Sequence, residues 1–194
     1  MKLFLIRHGE SYGNKRKQIY GHTDYTLTPM GITQSKAVVD YLQFKKIDRI
    51  YYSPLKRTKH LLNLMQTNSI SLIEASWLIE MNFGIFEALT PKEAALKHPR
   101  EYNNYMNNYE SFTIPEGENY SAFCKRIQNN LKNNLPSEAQ VFAYITHGEV
   151  IRVILSLLTG MSYSELWNLK LPPASVVELC SDNSSYKIKS VFYG

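Results

Sequence analysis

The sequence has few cysteines, and it lacks the spacing that a structural metal site needs. Cys124 and Cys180 are the two cysteines among 194 residues, and they lie far apart along the chain. This usage excludes a disulfide-stapled secreted domain and argues against a zinc site. We therefore expect two free thiols in a reducing compartment.

Long hydrophobic runs are also missing. The apolar stretch at 150–158 is interrupted by Arg152 and Ser156 and is too short for a membrane span. The N-terminal apolar run, Leu3 to Ile6, ends at Arg7 and is too short for the hydrophobic region of a signal peptide. Both absences predict a cytoplasmic protein without a membrane partner.

The sequence shows no linker, no internal repeat and no concentrated basic patch. Its formal net charge is +5 at pH 7, but the basic residues are scattered. Because helix-turn-helix, zinc-finger and aromatic RNA-binding signatures are missing too, we predict no nucleic-acid partner and a small anionic substrate instead. Without a linker or low-complexity tract, residues 1–194 are predicted to form a single domain.

Strand-like and helix-like segments alternate along most of the chain. Such alternation predicts an α/β three-layer sandwich, with a mostly parallel sheet covered by helices on both faces. The closing pair of strands, on either side of the turn "SDNSS", predicts one antiparallel strand. Helix boundaries are indicated by Thr28 and Pro29 at one start and by Gly160 at one end. The predicted strands are 3–6, 48–53, 71–73, 141–145, 176–180 and 186–192.

One segment, at about 99–120, has a different composition. It is rich in Asn, Tyr, Pro and Gly and poor in aliphatic residues. We predict a lid-like excursion over the body of the fold. Its residues Tyr102, Tyr105 and Tyr109 would either stack on a heterocyclic ligand or pack the segment against the body.

Basic residues follow three of the predicted strands. They are "RHG" at 7–9, "SPLKR" ending at Arg57, and "THGE" at 146–149. Ligands of such sheets bind beyond the carboxyl ends of the strands, and guanidinium groups suit the oxygens of an anion. A histidine before a helix N-terminus adds to this preference. The pattern predicts a phosphate site, with Gly9 and Gly148 leaving room for ligand oxygens near the backbone.

Six motifs in this order resemble those of one known family. They are "LIRHGES" with Asn14, "GHTDYTLTPMG", "YYSPLKRTKHL", "LIEMNFGIFEALT", "PEGENYSAF" and "ITHGEVIRVIL". Together they cover nearly the whole chain and resemble the histidine phosphatase superfamily, which includes cofactor-dependent phosphoglycerate mutases and many small phosphatases. The resemblance implies a phosphoglycerate mutase-like fold and phosphoryl transfer through a phosphohistidine, with no metal and no cofactor.

The resemblance also implies a role for each matching residue. His8 would be the nucleophile, Arg7, Arg57 and His147 would bind the phosphate, and Glu80 would give a proton to the leaving group. Such a nucleophile must be a neutral imidazole whose second ring nitrogen is protonated and held, for example by a carbonyl. The proton donor needs a raised pKa, which partial burial would supply.

Other site assignments are less direct. From the residues alone, Glu10, Glu74 and Glu87 are as eligible as Glu80 to be the proton donor, and the family pattern selects Glu80. The remaining expected contacts to phosphoryl oxygens or substrate are Ser11, Asn14, Gly148 and His22. Alternatively, His22 is a hydrogen-bonded loop residue with no contact to the substrate.

Several positions depart from the family pattern. Phe86 stands where tryptophan is common, Ala88 where glycine is common, Glu149 where a small residue is common, and Asn119 where serine is frequent. None of these changes removes a catalytic group. We expect these four positions to lie at the rim of the pocket, where they would affect which substrate is accepted.

Among the activities of the family, hydrolysis is favoured. A mutase must retain a bisphosphorylated intermediate and needs a second, strongly basic phosphate site, whereas the excursion at 99–120 contributes Arg100 as its one basic residue. We predict a phosphomonoesterase acting on a small phosphorylated metabolite, with α-ribazole 5'-phosphate suggested by the motifs "LIEMNFGIFEALT" and "PEGENYSAF". The alternatives are a cofactor-dependent phosphoglycerate mutase and a non-catalytic phospholigand-binding module.

Overall fold

The structure is a computed structural model that describes residues 1–67, 70–136, 140–181 and 185–194. At its centre is a six-stranded sheet. The strands are β1 (Lys2–Arg7), β2 (Arg49–Tyr52), β3 (Ser71–Glu74), β4 (Val141–Thr146), β5 (Ser175–Ser181) and β6 (Tyr186–Tyr193). Their spatial order is β3-β2-β4-β1-β5-β6.

Five of these strands run in the same direction, and β5 alone is reversed. The pairs β1·β4, β2·β4 and β2·β3 are parallel, and β5 is antiparallel to both of its neighbours. This confirms the predicted mostly parallel sheet with one antiparallel strand. Residues 182–184 of the predicted turn "SDNSS" lie outside the described part of the chain.

The described residues also form eight α-helices. They are α1 (Tyr12–Lys15), α2 (Pro29–Leu42), α3 (Lys56–Leu64), α4 (Pro91–Lys97), α5 (Pro99–Asn107), α6 (Tyr120–Leu131), α7 (Gly148–Thr159) and α8 (Tyr163–Asn168). Helix α2 starts as predicted, because the Thr28 side chain accepts a hydrogen bond from the Gly31 N–H and Pro29 occupies the first turn. Helix α7 ends at Gly160, whose φ of 72° lies in the left-handed region.

The sheet is buried on both faces, as the continuous apolar run of β1 predicts. Successive side chains of a strand point to opposite faces. Leu3 and Leu5 accordingly join a core cluster with α6 and α7, whereas Phe4 and Ile6 join a second cluster with α2 and α3. The result is a three-layer α/β arrangement, and the exits of the parallel strands form one edge of it.

The segment at 99–120 contains a helix that the sequence analysis did not predict. Helix α5 begins at Pro99, which suits the first turn of a helix, and buries none of its residues fully. The rings of Tyr102 and Tyr105 both contact Phe86, with centroids 5.6 Å away, and Tyr105 contacts Tyr109. These contacts support the packing interpretation of the tyrosines. A lid role for this segment stays a prediction.

No helix in the described ranges is both long enough and apolar enough to span a membrane.

Candidate active site

The exits of β1 and β4 bring two histidines together. The two strands are neighbours, with Arg7 in register with Thr146. The next residues, His8 and His147, therefore emerge side by side, and their ring centroids lie 5.3 Å apart. Both side chains are almost completely buried, with exposures of 2% and 1%. The sheet order thus places residues 139 positions apart in direct contact.

His8 is held as a neutral imidazole with one free ring nitrogen. Its Nδ1 lies 2.7 Å from the Gly9 carbonyl oxygen. A carbonyl only accepts, so Nδ1 carries the proton and the lone pair of Nε2 is left for chemistry. Burial, followed by the charges of Arg57 and Arg7, holds the pKa of His8 well below its usual value. The ring therefore stays uncharged at neutral pH.

His147 is oriented by two further groups. The Arg57 Nε–H donates to its Nδ1 at 3.2 Å, which places the imidazole proton on Nε2, 2.9 Å from the Ser53 hydroxyl. Burial and then Arg57 hold the pKa of His147 well below its usual value. The sequence analysis missed Ser53. It directly follows β2, and the strand-exit pattern that singled out Arg57 also applies to it.

Arg57 connects the histidines to the loop that follows α1. Its side chain is fully buried, and its two terminal nitrogens donate to the carbonyls of Thr23 at 2.9 Å and Gly21 at 2.6 Å. The guanidinium also lies over the ring of Tyr20, 5.0 Å from its centroid. Burial lowers the pKa of Arg57, but a guanidinium remains protonated in proteins. Tyr20 had no signal in the sequence analysis.

Arg7 lies against the start of α7. Its Nη1 donates to the Leu171 carbonyl, and its buried Nε has no hydrogen-bond partner among the described residues. A Cβ on Gly148 would lie 3.4 Å from the Arg7 guanidinium carbon, which is an ordinary van der Waals contact, so packing against Arg7 does not require a glycine there. The expected reason for Gly9 needs correction. A Cβ there would lie 2.3 Å from the Gly31 carbonyl oxygen, so Gly9 makes room for α2 and not for a ligand.

Glu80 lies at the N-terminus of α7, beside the histidine pair. Its carboxyl oxygens accept hydrogen bonds from the N–H groups of Met81 at 3.1 Å and Glu149 at 3.2 Å. Burial raises the pKa of Glu80, and these hydrogen bonds and the two arginines offset part of the increase. Arg126 positions the preceding segment by donating to the carbonyls of Trp77 and Ile79.

The three alternative glutamates have other partners. The carboxylate of Glu10 accepts from the Thr28 hydroxyl, and Glu74 forms an exposed ion pair with Lys59. The carboxylate of Glu87 accepts from three consecutive backbone N–H groups, at 21–23. Burial raises the pKa of Glu87, but hydrogen bonds from Thr23 and its neighbours outweigh that effect and the net pKa is lowered. Glu87 therefore organises the loop around Arg57.

Ser11 adjoins this cluster through Tyr20, whose ring lies against the Arg57 guanidinium. The Ser11 hydroxyl caps α1, contacts the Asn14 side chain at 3.1 Å and lies 2.7 Å from the Tyr20 hydroxyl. His22 is exposed and borders a groove also lined by Trp77. The structure thus brings Arg7, His8, Arg57, Glu80 and His147 together and commits Ser11 and Asn14 to a helix cap.

No group of three or more His, Cys, Asp or Glu residues within the described ranges is placed to hold a metal ion.

The chain is similar to a known protein family and to several named proteins. The family model for the histidine phosphatase superfamily (branch 1) matches residues 3–193. A protein named "Putative phosphoserine phosphatase 2", from Hydrogenobacter thermophilus, is 30% identical over 179 residues, which cover 92% of this chain and 88% of that protein. An "Adenosylcobalamin/alpha-ribazole phosphatase" from Salmonella typhimurium is 24% identical over 192 residues, which cover 97% and 95%. Relatives from Yersinia, 28% identical, are named probable phosphoglycerate mutases.

A solved structure shares the fold. The alpha-ribazole phosphatase from Shigella flexneri superposes with a TM-score of 0.88 at 24% identity, covering 97% of this chain and 95% of that one. Its fold is the same three-layer arrangement with the predicted phosphoglycerate mutase-like topology.

Proposed function

The chain belongs to the histidine phosphatase superfamily (branch 1) and is a phosphoric monoester hydrolase; from that premise we propose that it transfers the phosphoryl group to His8 without a metal ion. One observation carries the proposal. A neutral, buried imidazole with a free Nε2 lies 5.3 Å from a second imidazole, centroid to centroid, and the charges of Arg57 and Arg7 act on it. Phosphoryl transfer needs such positioning and charge stabilisation above all.

The first step forms the phosphohistidine. Arg7, Arg57 and the His147 ring would surround the phosphoryl oxygens, while His8 Nε2 attacks phosphorus in line with the leaving oxygen. A nitrogen–phosphorus bond forms as the ester oxygen–phosphorus bond breaks. The leaving alkoxide takes the proton of Glu80, whose raised pKa favours the acid form. The Gly9 carbonyl, which accepts from Nδ1–H, stabilises the positive charge that develops on the ring.

The second step regenerates the enzyme. The Glu80 carboxylate takes a proton from a water molecule, whose oxygen attacks phosphorus as the bond to His8 breaks. Inorganic phosphate leaves, Glu80 is again an acid, and His8 returns to the neutral form. No other group has to gain or lose a proton over the cycle.

The substrate is a small phosphorylated metabolite. The names of similar proteins supply two candidates, α-ribazole 5'-phosphate and phosphoserine. Mutase activity is a second candidate function, favoured by the relatives named as mutases. It is disfavoured by the segment 99–120, which has one basic residue and four acidic ones and so makes a poor second phosphate site. A purely binding role would not need Glu80 beside the histidine pair. The cytoplasmic location remains a prediction from the sequence.

The test uses an aryl phosphate, which any phosphomonoesterase of this type should accept. We expect hydrolysis that an excess of chelator leaves unchanged, together with an acid-labile phosphohistidine in rapidly quenched samples. The variant His8→Ala should lose both, whereas His98→Ala, altered outside the cluster, should keep both. Loss of activity with chelator, or normal turnover by His8→Ala, would contradict the proposal.

A further inference from the structure

Two charged side chains in the first turns of α7 are partly buried and form an ion pair without a hydrogen bond. The Arg152 Nε lies 3.4 Å from the Glu149 Oε1, and the exposed fractions of the two side chains are 15% and 21%. The Glu149 Oε2 and the Arg152 Nε and Nη1 are buried and have no hydrogen-bond partner in the described part of the chain. Burying such donors and acceptors without partners costs free energy, so a native structure that keeps them calls for an explanation.

The pair lies on the side of the site where the leaving group would sit. The backbone N–H of Glu149 donates to the Glu80 Oε2, and Glu80 is the proposed proton donor to the leaving oxygen. The charges that act on Glu149 are those of Glu80, Arg152 and Arg7. Burial and then Glu80 raise the pKa of Glu149 to about 7, against the two arginines. An additional cation near this carboxylate would therefore be favourable.

Arg152 is held in place by a neighbouring helix. Its guanidinium carbon lies 5.4 Å from the centre of the Trp167 ring, which α8 supplies. The contact with this ring thus fixes the direction of the guanidinium before any ligand binds.

We propose that Glu149 and Arg152 form the subsite for the leaving alcohol, and that they select an alcohol bearing both an ammonium and a carboxylate group. The inference rests on the proposed function and deepens it. The unpartnered donors of Arg152 suit a carboxylate, and the unpartnered oxygen of Glu149 suits an ammonium. In a phosphorylated amino acid such as O-phosphoserine, both groups are bonded to the same carbon, next to the one that carries the ester oxygen. Two opposite charges on one carbon would meet the ion pair of Glu149 and Arg152, whose Glu149 N–H donates to Glu80.

Related phosphoesters separate the contributions of the two residues. 3-Phosphoglycerate keeps the carboxylate but has a hydroxyl in place of the ammonium, so it would satisfy Arg152 alone. The ribose of α-ribazole 5'-phosphate carries neither an ammonium nor a carboxylate group, and the same is true of an aryl phosphate. The ratio of kcat/KM for two substrates on one enzyme preparation cancels any loss through misfolding or a weakened catalytic step.

The experiment measures these ratios at pH 8, where Glu149 is mostly ionised. We expect the unaltered protein to prefer O-phosphoserine to the other three substrates. Glu149→Gln keeps the shape of the side chain and removes its charge. It should lower the kcat/KM ratio of phosphoserine to 3-phosphoglycerate by about tenfold or more. Arg152→Gln should lower kcat/KM for both carboxylate substrates, relative to kcat/KM for the aryl phosphate, by a similar factor. Glu74→Gln, on the exposed edge strand, should leave every ratio as it was.

The possible failures are distinguishable. If the protein hydrolyses the aryl phosphate but prefers α-ribazole 5'-phosphate, or if Glu149→Gln leaves the ratio unchanged, the subsite inference is wrong while the proposed function stands. If the unaltered protein hydrolyses none of the four substrates and forms no phosphohistidine, the proposed function fails and the inference fails with it.

Discussion

At the scale of single residues, the site depends on the hydrogen-bonding shape of Arg57 as much as on its charge. Three of its nitrogens have different partners: the His147 ring and the carbonyls of Thr23 and Gly21. One residue therefore sets the tautomer of His147 and holds the loop at 21–23. An ammonium group on a flexible chain has no planar set of donors with which to reproduce this.

We predict that Arg57→Lys lowers kcat/KM for an aryl phosphate by about 100-fold or more, although the charge is kept. The physical reason is that His147 loses its donor at Nδ1 and two buried carbonyls lose theirs. Steady-state kinetics at pH 7 would measure the effect, with Arg100→Lys on the exposed start of α5 as the matched control. A decrease of less than about threefold would show that charge alone accounts for the role of Arg57.

At the scale of elements, the turn before α4 contains a conformation that disfavours its own residue. Ala88 has a φ of 63°, in the left-handed region that glycine adopts without steric cost. Its backbone is held there by hydrogen bonds, since its N–H donates to Ile19 and its carbonyl accepts from Gln18. This is the position where the family pattern commonly has glycine, so the departure noticed in the sequence has a conformational meaning.

We therefore predict that Ala88→Gly stabilises the protein by about 1 kcal/mol, which corresponds to about 2–4 °C in Tm. The relief of the left-handed conformation outweighs the greater entropy of the unfolded glycine. Ala95→Gly, on the exposed face of α4, is the matched control and should destabilise by about 1 kcal/mol. Thermal unfolding followed by circular dichroism would measure both. An equal decrease in Tm for both variants would contradict the prediction.

At the scale of the whole molecule, the buried histidine pair makes global stability depend on pH. His8 and His147 have lowered pKa values in the folded state, chiefly through burial and then Arg57. In the unfolded chain a histidine titrates at about 6.5, so below that pH the unfolded state binds more protons than the folded state. The stability that these neutral rings contribute is present above about pH 6.5 and is lost as the pH falls.

We predict that acidification from pH 7.5 to pH 5 changes the free energy of unfolding less unfavourably in the double variant His8→Asn/His147→Asn than in the unaltered protein. Each histidine contributes about 1.4 kcal/mol per pH unit below its unfolded pKa. Denaturant titrations at several pH values would measure the slope of stability against pH for each protein. The control is the double variant His22→Asn/His98→Asn, altered outside the buried pair. If the slope is the same in both double variants, the pH dependence does not come from His8 and His147.

Glu80 and Glu149 change the stability of the fold with pH in the direction opposite to the histidines, over the same pH range. Their pKa values are raised, so the stability linked to their protonated forms is present at low pH and is lost as the pH rises, through about 7 for Glu149. Comparing variants at each pH isolates the histidine contribution from theirs.

Much of the fold followed from signals between near neighbours in the chain. The apolar run of β1 indicated a strand buried on both faces, Thr28 and Pro29 indicated the start of α2, and Gly160 indicated the end of α7. These signals are local because backbone conformation, capping and burial periodicity depend on residues a few positions apart. The helix α5 was not predicted, because its Asn- and Tyr-rich composition indicated an excursion over the body of the fold, although Tyr102 and Tyr105 lie at helical spacing.

The sequence by itself determined the residue types of the site, since the side chains proposed to bind phosphate follow three strands and the family motifs occur in order. The tertiary structure alone decided their partners: Ser53 for His147, the Gly9 carbonyl for His8, and the loop at 21–23 for Glu87. It also decided that Glu149 and Arg152 have buried side-chain atoms without hydrogen-bond partners among the described residues. The physical reason is that such contacts depend on which strands are neighbours in the sheet, and the order of the strands arises from packing of the whole chain.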